Sequence, residues 1–141
     1  MNLEAILEMW KKDSVIDEVL LDQAALKIPQ LHQKYLTLLS EYNLLYKKQA
    51  HKLKVLEHSK NLYYSGRAKP EEYEEEPFDY KVMKSDVPSW VAVDEEVQRV
   101  ELKQEYYSAT IRVLEDVLKQ VHQMSYNIKN AIEWRRFTSG A

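Results

Sequence analysis

The chain has 141 residues, 45% of them apolar and 30% charged, with a formal net charge of −3. That length fits one domain of ordinary size, and the slight acidity argues against capture of polyanions by the overall field while leaving room for a local basic patch. Cysteine is absent, which removes a disulfide framework and any cysteine-based metal site and fits a reducing cytoplasm.

The N-terminus reads MNLEAILEMWKKD. Glu4 and Glu8 interrupt the apolar positions and no basic segment precedes them, so it does not read as a signal peptide. No stretch approaches the roughly 20 apolar residues that span a bilayer, and the expectation is a soluble, intracellular protein. Leu3, Ile6, Leu7 and Trp10 share one face of a short helix over 3–12, which Asp13-Ser14 ends. A second helix is expected from near Asp17. Pro29 either kinks it or opens a new helix at its first turn. From there a heptad-like seam runs through Leu31, Tyr35, Leu38, Tyr42 and Leu45, with Gln49 at one seam position, and on through Leu53 and Leu56. It stops near Tyr64, because Gly66 supplies the residue a helix C-terminus favours.

Residues 65–93 hold Pro70, Pro77 and Pro88 and a run of acids, so one regular helix is excluded. The β-branched and aromatic content of 80–93 predicts an extended segment pinned by Val82, Val87 and Trp90. Asp94 is a good N-cap for a last helix running to about Phe137. Its predicted seam is Val97, Val100, Gln104, Tyr107, Ile111, Leu114, Leu118, Val121, Ser125, Ile128 and Ile132. Further apolar residues at Val113, Val117, Met124 and Ala131 widen that face. Either a monomeric bundle buries it, or neighbouring subunits do. Oligomerisation is the preferred reading, through Ile111, Leu114, Leu118, Val121 and Ile128, because so few helices leave little else to cover it. The predicted fold is all-α: long antiparallel helices with an irregular central segment, divided into residues 1–93 and 94–141.

One stretch is strongly cationic. Lys47, Lys48, His51, Lys52, Lys54, His58, Lys60, Arg67 and Lys69 share their segment with a single acid, Glu57. At about 100° per residue, Lys47, His51, Lys54 and His58 form one narrow stripe opposite the seam. Lys48 and Lys52 lie beside it, and Lys60 projects nearer the seam. Helix faces usually mix signs, because i, i+4 ion pairs help the helix. Three readings stand: a solvated face, a polyanion site, or neutralisation by the acids of 71–79. Nucleic acid leads slightly. Tyr63 and Tyr64 strengthen it, since aromatic faces beside cations hold single strands, although Tyr63 alone reads better as a core residue.

No catalytic or metal-binding constellation stands out. The two glycines, Gly66 and Gly140, are too far apart for a P-loop or dinucleotide fingerprint. The four histidines lack metal-ligand spacing. The expectation is a binding protein without cofactor or metal.

WKKDSVID at 10–17, then a long helix, then a basic run ending in YYSGR at 63–67, resembles the UvsY family, recombination mediators of T-even-type phages. The resemblance runs from the N-terminus to about Val93, and beyond that rests on helical pattern and length. It implies a helical protein in a ring-like homo-oligomer of hexamer or heptamer size, in the cytoplasm of the bacterial host. It implies non-specific binding to single-stranded DNA and contact with the phage single-strand-binding protein and the RecA-like phage recombinase. The task it implies is loading that recombinase onto strands covered by the binding protein. Family DNA contacts fall three and five residues before YYSGR, here Lys60 and His58. Position 58 departs from the family, since a histidine holds only a fractional charge near pH 7, and Lys54 and Arg67 are the compensating cations. The competing reading from the residues is a helical adaptor whose cationic stripe docks an acidic protein.

Overall fold

The computed structural model describes residues 1–140. Five helices follow in order: α1 (Leu3–Asp13), α2 (Leu21–Tyr64), α3 (Pro70–Glu75), α4 (Val87–Ala92) and α5 (Glu95–Thr138). No strand occurs among the described residues. The all-α expectation holds, and the two long helices lie close to where the periodicity put them.

Packing groups the chain into two units, Met1–Asn43 with Ala109–Ala141, and Leu44–Ser108. This differs from the expected division at residue 93. The long helices are continuous through both units, so residues distant in the chain share each of them.

In the first unit, Asn2 caps α1, its Oδ1 accepting from the Ala5 N–H at 2.8 Å. Ile6 of α1 is fully buried. Trp10 meets the Tyr35 ring edge to face at 5.6 Å, a favoured aromatic geometry. Asp13 Oδ2 accepts from Tyr35 Oη at 2.8 Å and from Lys34 Nζ at 2.6 Å. Burial, and then the bond to Asp13, push the Tyr35 phenol well above its ordinary pKa. The WKKD segment therefore docks α1 onto α2. Asp17 makes a turn rather than a helix start, its Oδ1 accepting from the Val19 N–H at 2.9 Å, and α2 begins four residues later than Asp17. The helix passes through Pro29 without interruption. Its seam residues Tyr35 and Tyr42 are buried, and Leu31 and Leu38 half-buried.

In this unit α5 buries Thr110, Leu114, Val117, Val121, Met124 and Ile128. The predicted seam is right at 114, 121 and 128 and one residue off at the alternate positions. Thr110, Val117 and Met124 face inward, where Ile111, Leu118 and Ser125 were expected. A helix turn of 3.6 residues lets either of two adjacent positions continue a 3–4 spacing, and packing chooses between them.

In the second unit α2 and α5 run antiparallel: Gln49 bonds to Val100, and Lys60, further along α2, to Glu96, earlier in α5. Gln49 is buried and donates from Nε2 to the Val100 carbonyl at 3.2 Å, which offsets the cost of a buried amide. Val87, Val91 and Val97 form the core, with Leu53, Leu56, Tyr64 and Val82 packed against it. Residues 87–92 are helical, which corrects the extended reading of that stretch. Pro88 sits in the first turn of α4, where its missing N–H is harmless, and Val87 and Val91 lie four apart on one face. Pro70 likewise opens α3, whose first turn carries Glu71 and Glu72, favourable at the positive end of a helix.

Candidate nucleic-acid interface

The C-terminal half of α2 has two unlike sides. Lys47, Lys48, His51, Lys52, Lys54 and His58 are all exposed. Among the described residues, none of these side chains is in an ion pair. The acids of 71–79 make no ion pair with them, so within the chain those acids do not neutralise the stripe. A continuous cationic face is left to solvent.

The helix closes where YYSGR begins. Arg67 N–H bonds back to the Leu62 carbonyl at 2.9 Å, and Gly66 N–H to the Tyr63 carbonyl at 3.3 Å. Gly66 holds φ at +78°, the left-handed conformation of a helix stop. Arg67 is exposed, its Nε donating to Ser65 Oγ at 3.1 Å.

The chain after the turn folds back on the helix end. Tyr73 Oη donates to the Tyr63 carbonyl at 2.7 Å, and Tyr63 Oη to the Glu76 carbonyl at 2.9 Å. Tyr63 stacks on Tyr73 at 5.3 Å, and Tyr64 meets Phe78 edge-on at 5.1 Å. Trp90 and Tyr80 extend the cluster. Tyr64 is thus packed against protein on several sides, and both tyrosines are half-buried members of an aromatic cluster at the end of α2. Tyr80 is the exposed rim of that cluster. Its ring lies 5.7 Å from Phe78 and 5.8 Å from Trp90, near neighbours in the chain whose ring contacts only the fold shows.

Lys60 departs most from its cationic neighbours. Its side chain is 15% exposed, and Nζ lies 3.4 Å from Asp94 Oδ2 and 3.2 Å from Glu96 Oε2. Asp94 is the hub of this corner. Its Oδ1 accepts from the N–H groups of Glu96 at 2.9 Å and Val97 at 3.1 Å, capping α5 as expected. Its Oδ2 accepts from Tyr64 Oη at 2.6 Å. Burial raises the Asp94 pKa, but the bonds from Tyr64 and Val97 and the Lys60 charge outweigh it and hold the carboxyl below its ordinary range. Burial also lowers the Lys60 pKa, and the bond to Glu96 and the charge of Asp94 carry it above the usual lysine value. Burial and the Asp94 bond push the Tyr64 phenol well up. The capping role of Asp94 was legible in sequence. Its second oxygen was not, because Tyr64 and Lys60 reach it only through the fold.

Of the residues expected to mediate oligomerisation, Leu114, Val121 and Ile128 are buried inside the protomer. That corrects their assignment to an outer surface. Ile111 and Leu118 are half-buried and seven residues apart, and the more exposed Ile132 lies two heptads beyond Leu118 on the same line, with Ser125 between them.

A family model described as "Recombination, repair and ssDNA binding protein UvsY" matches residues 9–141. Comparison with curated proteins finds no match. Crystal structures of the bacteriophage T4 recombination mediator protein UvsY share the fold. One lattice type gives a TM-score of 0.87 at 24% identity, covering 99% of this chain and 98% of that one. A second gives 0.86 at 22% identity, covering 98% and 99%. A third gives 0.81 at 23% identity, covering 95% and 98%. No helix among the described residues is long and apolar enough to cross a membrane.

Proposed function

The chain belongs to the UvsY family of recombination, repair and single-stranded-DNA-binding proteins, and on that footing we propose that it is a non-enzymatic mediator. It binds single strands through the exposed face of α2 and loads a RecA-like phage recombinase onto strands covered by single-strand-binding protein. The observation that carries this reading is the unpaired stripe of Lys47, Lys48, His51, Lys52, Lys54 and His58 on one rigid helix. Each cation that meets a phosphate releases condensed counterions, so such a stripe favours any strand sequence. Arg67, exposed at the helix end, extends the same path.

One protomer offers few contacts, and its own affinity is weak and salt-sensitive. Tying several stripes into one ring raises the effective concentration for the later contacts. Self-association runs along the Ile111, Leu118 and Ile132 line, which the protomer covers only in part. A strand held across such a ring is separated from the single-strand-binding protein, and the recombinase nucleates on it.

Fluorescence anisotropy of a labelled oligonucleotide at several salt concentrations tests this. The expected result is sequence-independent binding, with log K falling against log salt by about 0.7 for each phosphate contact. The Lys47→Ala, Lys54→Ala double variant reduces both affinity and slope. Absence of binding at low salt refutes the reading and leaves the adaptor.

A further inference from the structure

Lys60 stands at the position where the family resemblance expects a DNA contact, yet its surroundings are acidic. At about 100° per residue it lies about 200° around α2 from the Lys47, His51, Lys54 and His58 stripe. That direction is the packed side, shared with Gln49, Leu53 and Leu56. Its ammonium is within ion-pair distance of both Asp94 and Glu96. It also lies 5.7 Å from the centre of the Tyr63 ring. The groove in front of it is lined by Glu72, Glu75, Glu76 and Glu96. A phosphate approaching Lys60 there meets four carboxylates and must displace two that already hold the ammonium. Like charges at such range oppose it, while the stripe on the other side offers unpaired cations.

We infer that Lys60 is a positioning residue for strand binding and makes no phosphate contact. Its charge neutralises Asp94 and Glu96, and so ties the end of α2 to the start of α5 and holds the YYSGR turn at the end of the cationic stripe. This rests on the strand-binding reading above and reassigns one of its residues. Loss of Lys60 weakens binding because two carboxylates are left uncompensated beside the strand path and the turn loses its anchor. Removing one of those carboxylates therefore repairs the loss, which it does not do for a lost contact.

The test compares wild type with Lys60→Met, Lys60→Met/Glu96→Gln and Lys54→Met, each as the full chain. Anisotropy with a labelled oligothymidine is read across a salt series, alongside thermal unfolding. Methionine keeps the length and packing of the lysine stem. Lys60→Met is expected to weaken binding with the wild-type salt slope, and the added Glu96→Gln to recover most of the affinity and part of the melting temperature. Lys54→Met lowers the slope magnitude by about 0.7 per lost contact. The inference is overturned if Lys60→Met lowers the slope as Lys54→Met does and Glu96→Gln recovers nothing. Should Lys60→Met fail to fold, Glu96→Gln alone decides. Unchanged affinity supports the inference, because Lys60 stays on Asp94, and clearly tighter binding with a steeper slope overturns it. If the wild type binds no oligonucleotide, the strand-binding reading fails by itself. The unfolding data then judge the anchor: a lower melting temperature in Lys60→Met that Glu96→Gln restores supports it, and no change rejects it.

Discussion

Replacing Asp94 with alanine removes an N-cap and a tertiary anchor in one step. Oδ1 serves two N–H groups of the first turn of α5, and losing such a cap costs about 1 kcal/mol. Oδ2 is the acceptor for the half-buried Tyr64 hydroxyl, and leaving that hydroxyl unpaired costs about 1 kcal/mol, the low end for a group not fully enclosed. The Lys60–Asp94 pair that is lost is largely shielded from solvent, but Lys60 keeps Glu96, so its charge is not left uncompensated and the change adds only about a few tenths of a kcal/mol. The expected destabilisation is therefore about 2 kcal/mol, with some coupling because the groups touch. Asp94→Asn keeps a competent cap but has one acceptor oxygen where two are used, and falls at about half that value. Urea unfolding followed by circular dichroism measures both. Protomer concentration must be held fixed, since association shifts apparent stability by mass action. A cost for Asp94→Ala below about 0.5 kcal/mol, the level of an ordinary surface change, refutes the hub.

The core line of α5 is tested by Leu114→Ala, expected to cost about 2–5 kcal/mol at a fully buried site, against Ile132→Ala, expected to cost under about 1 kcal/mol. Equal costs in urea unfolding would reject the burial pattern. Stability also depends on pH through Asp94. Its folded pKa is depressed, so its contribution is fully present above the ordinary carboxylate value of 3.8 and is lost as pH falls through the folded value. The gap in unfolding midpoint between wild type and Asp94→Asn should close in that acid range, and a gap that stays constant refutes the assignment. Lys60, with its pKa raised, contributes below its ordinary value of 10.5 and loses that contribution as pH rises through the folded value. The Lys60→Met variant should lose its stability deficit there.

Much of the architecture was readable because it is periodic or punctuated. Apolar spacing located α1, α2 and α5, Gly66 marked the stop of α2, and Asp94 marked the start of α5. The middle was misread where two local signals disagreed. Valines and a tryptophan in 80–93 favour strand by propensity, yet Pro88 at a first turn and the Val87–Val91 spacing favour a short helix, and burial of those valines against Val97 decided it. The cationic stripe was legible, since like charges at helical spacing need no tertiary information. The state of Lys60 was not, because a lysine in a basic run looks like its neighbours until its partners are known.

The sequence by itself determined that the chain is helical, where α2 stops and α5 starts, and that one face of α2 carries a run of positive charge. These follow from local rules of backbone conformation and residue spacing. Tertiary structure alone decided which of two adjacent residues in α5 faces the core. It also decided that Tyr63 and Tyr64 close an aromatic cluster with Tyr73, Phe78 and Trp90, and that Lys60 is held by Asp94 and Glu96 while Lys47 and Lys54 are not. The physical reason is that a side chain's charge and burial are set by what the rest of the chain brings within a few ångströms of it, and such neighbours are far apart in the sequence.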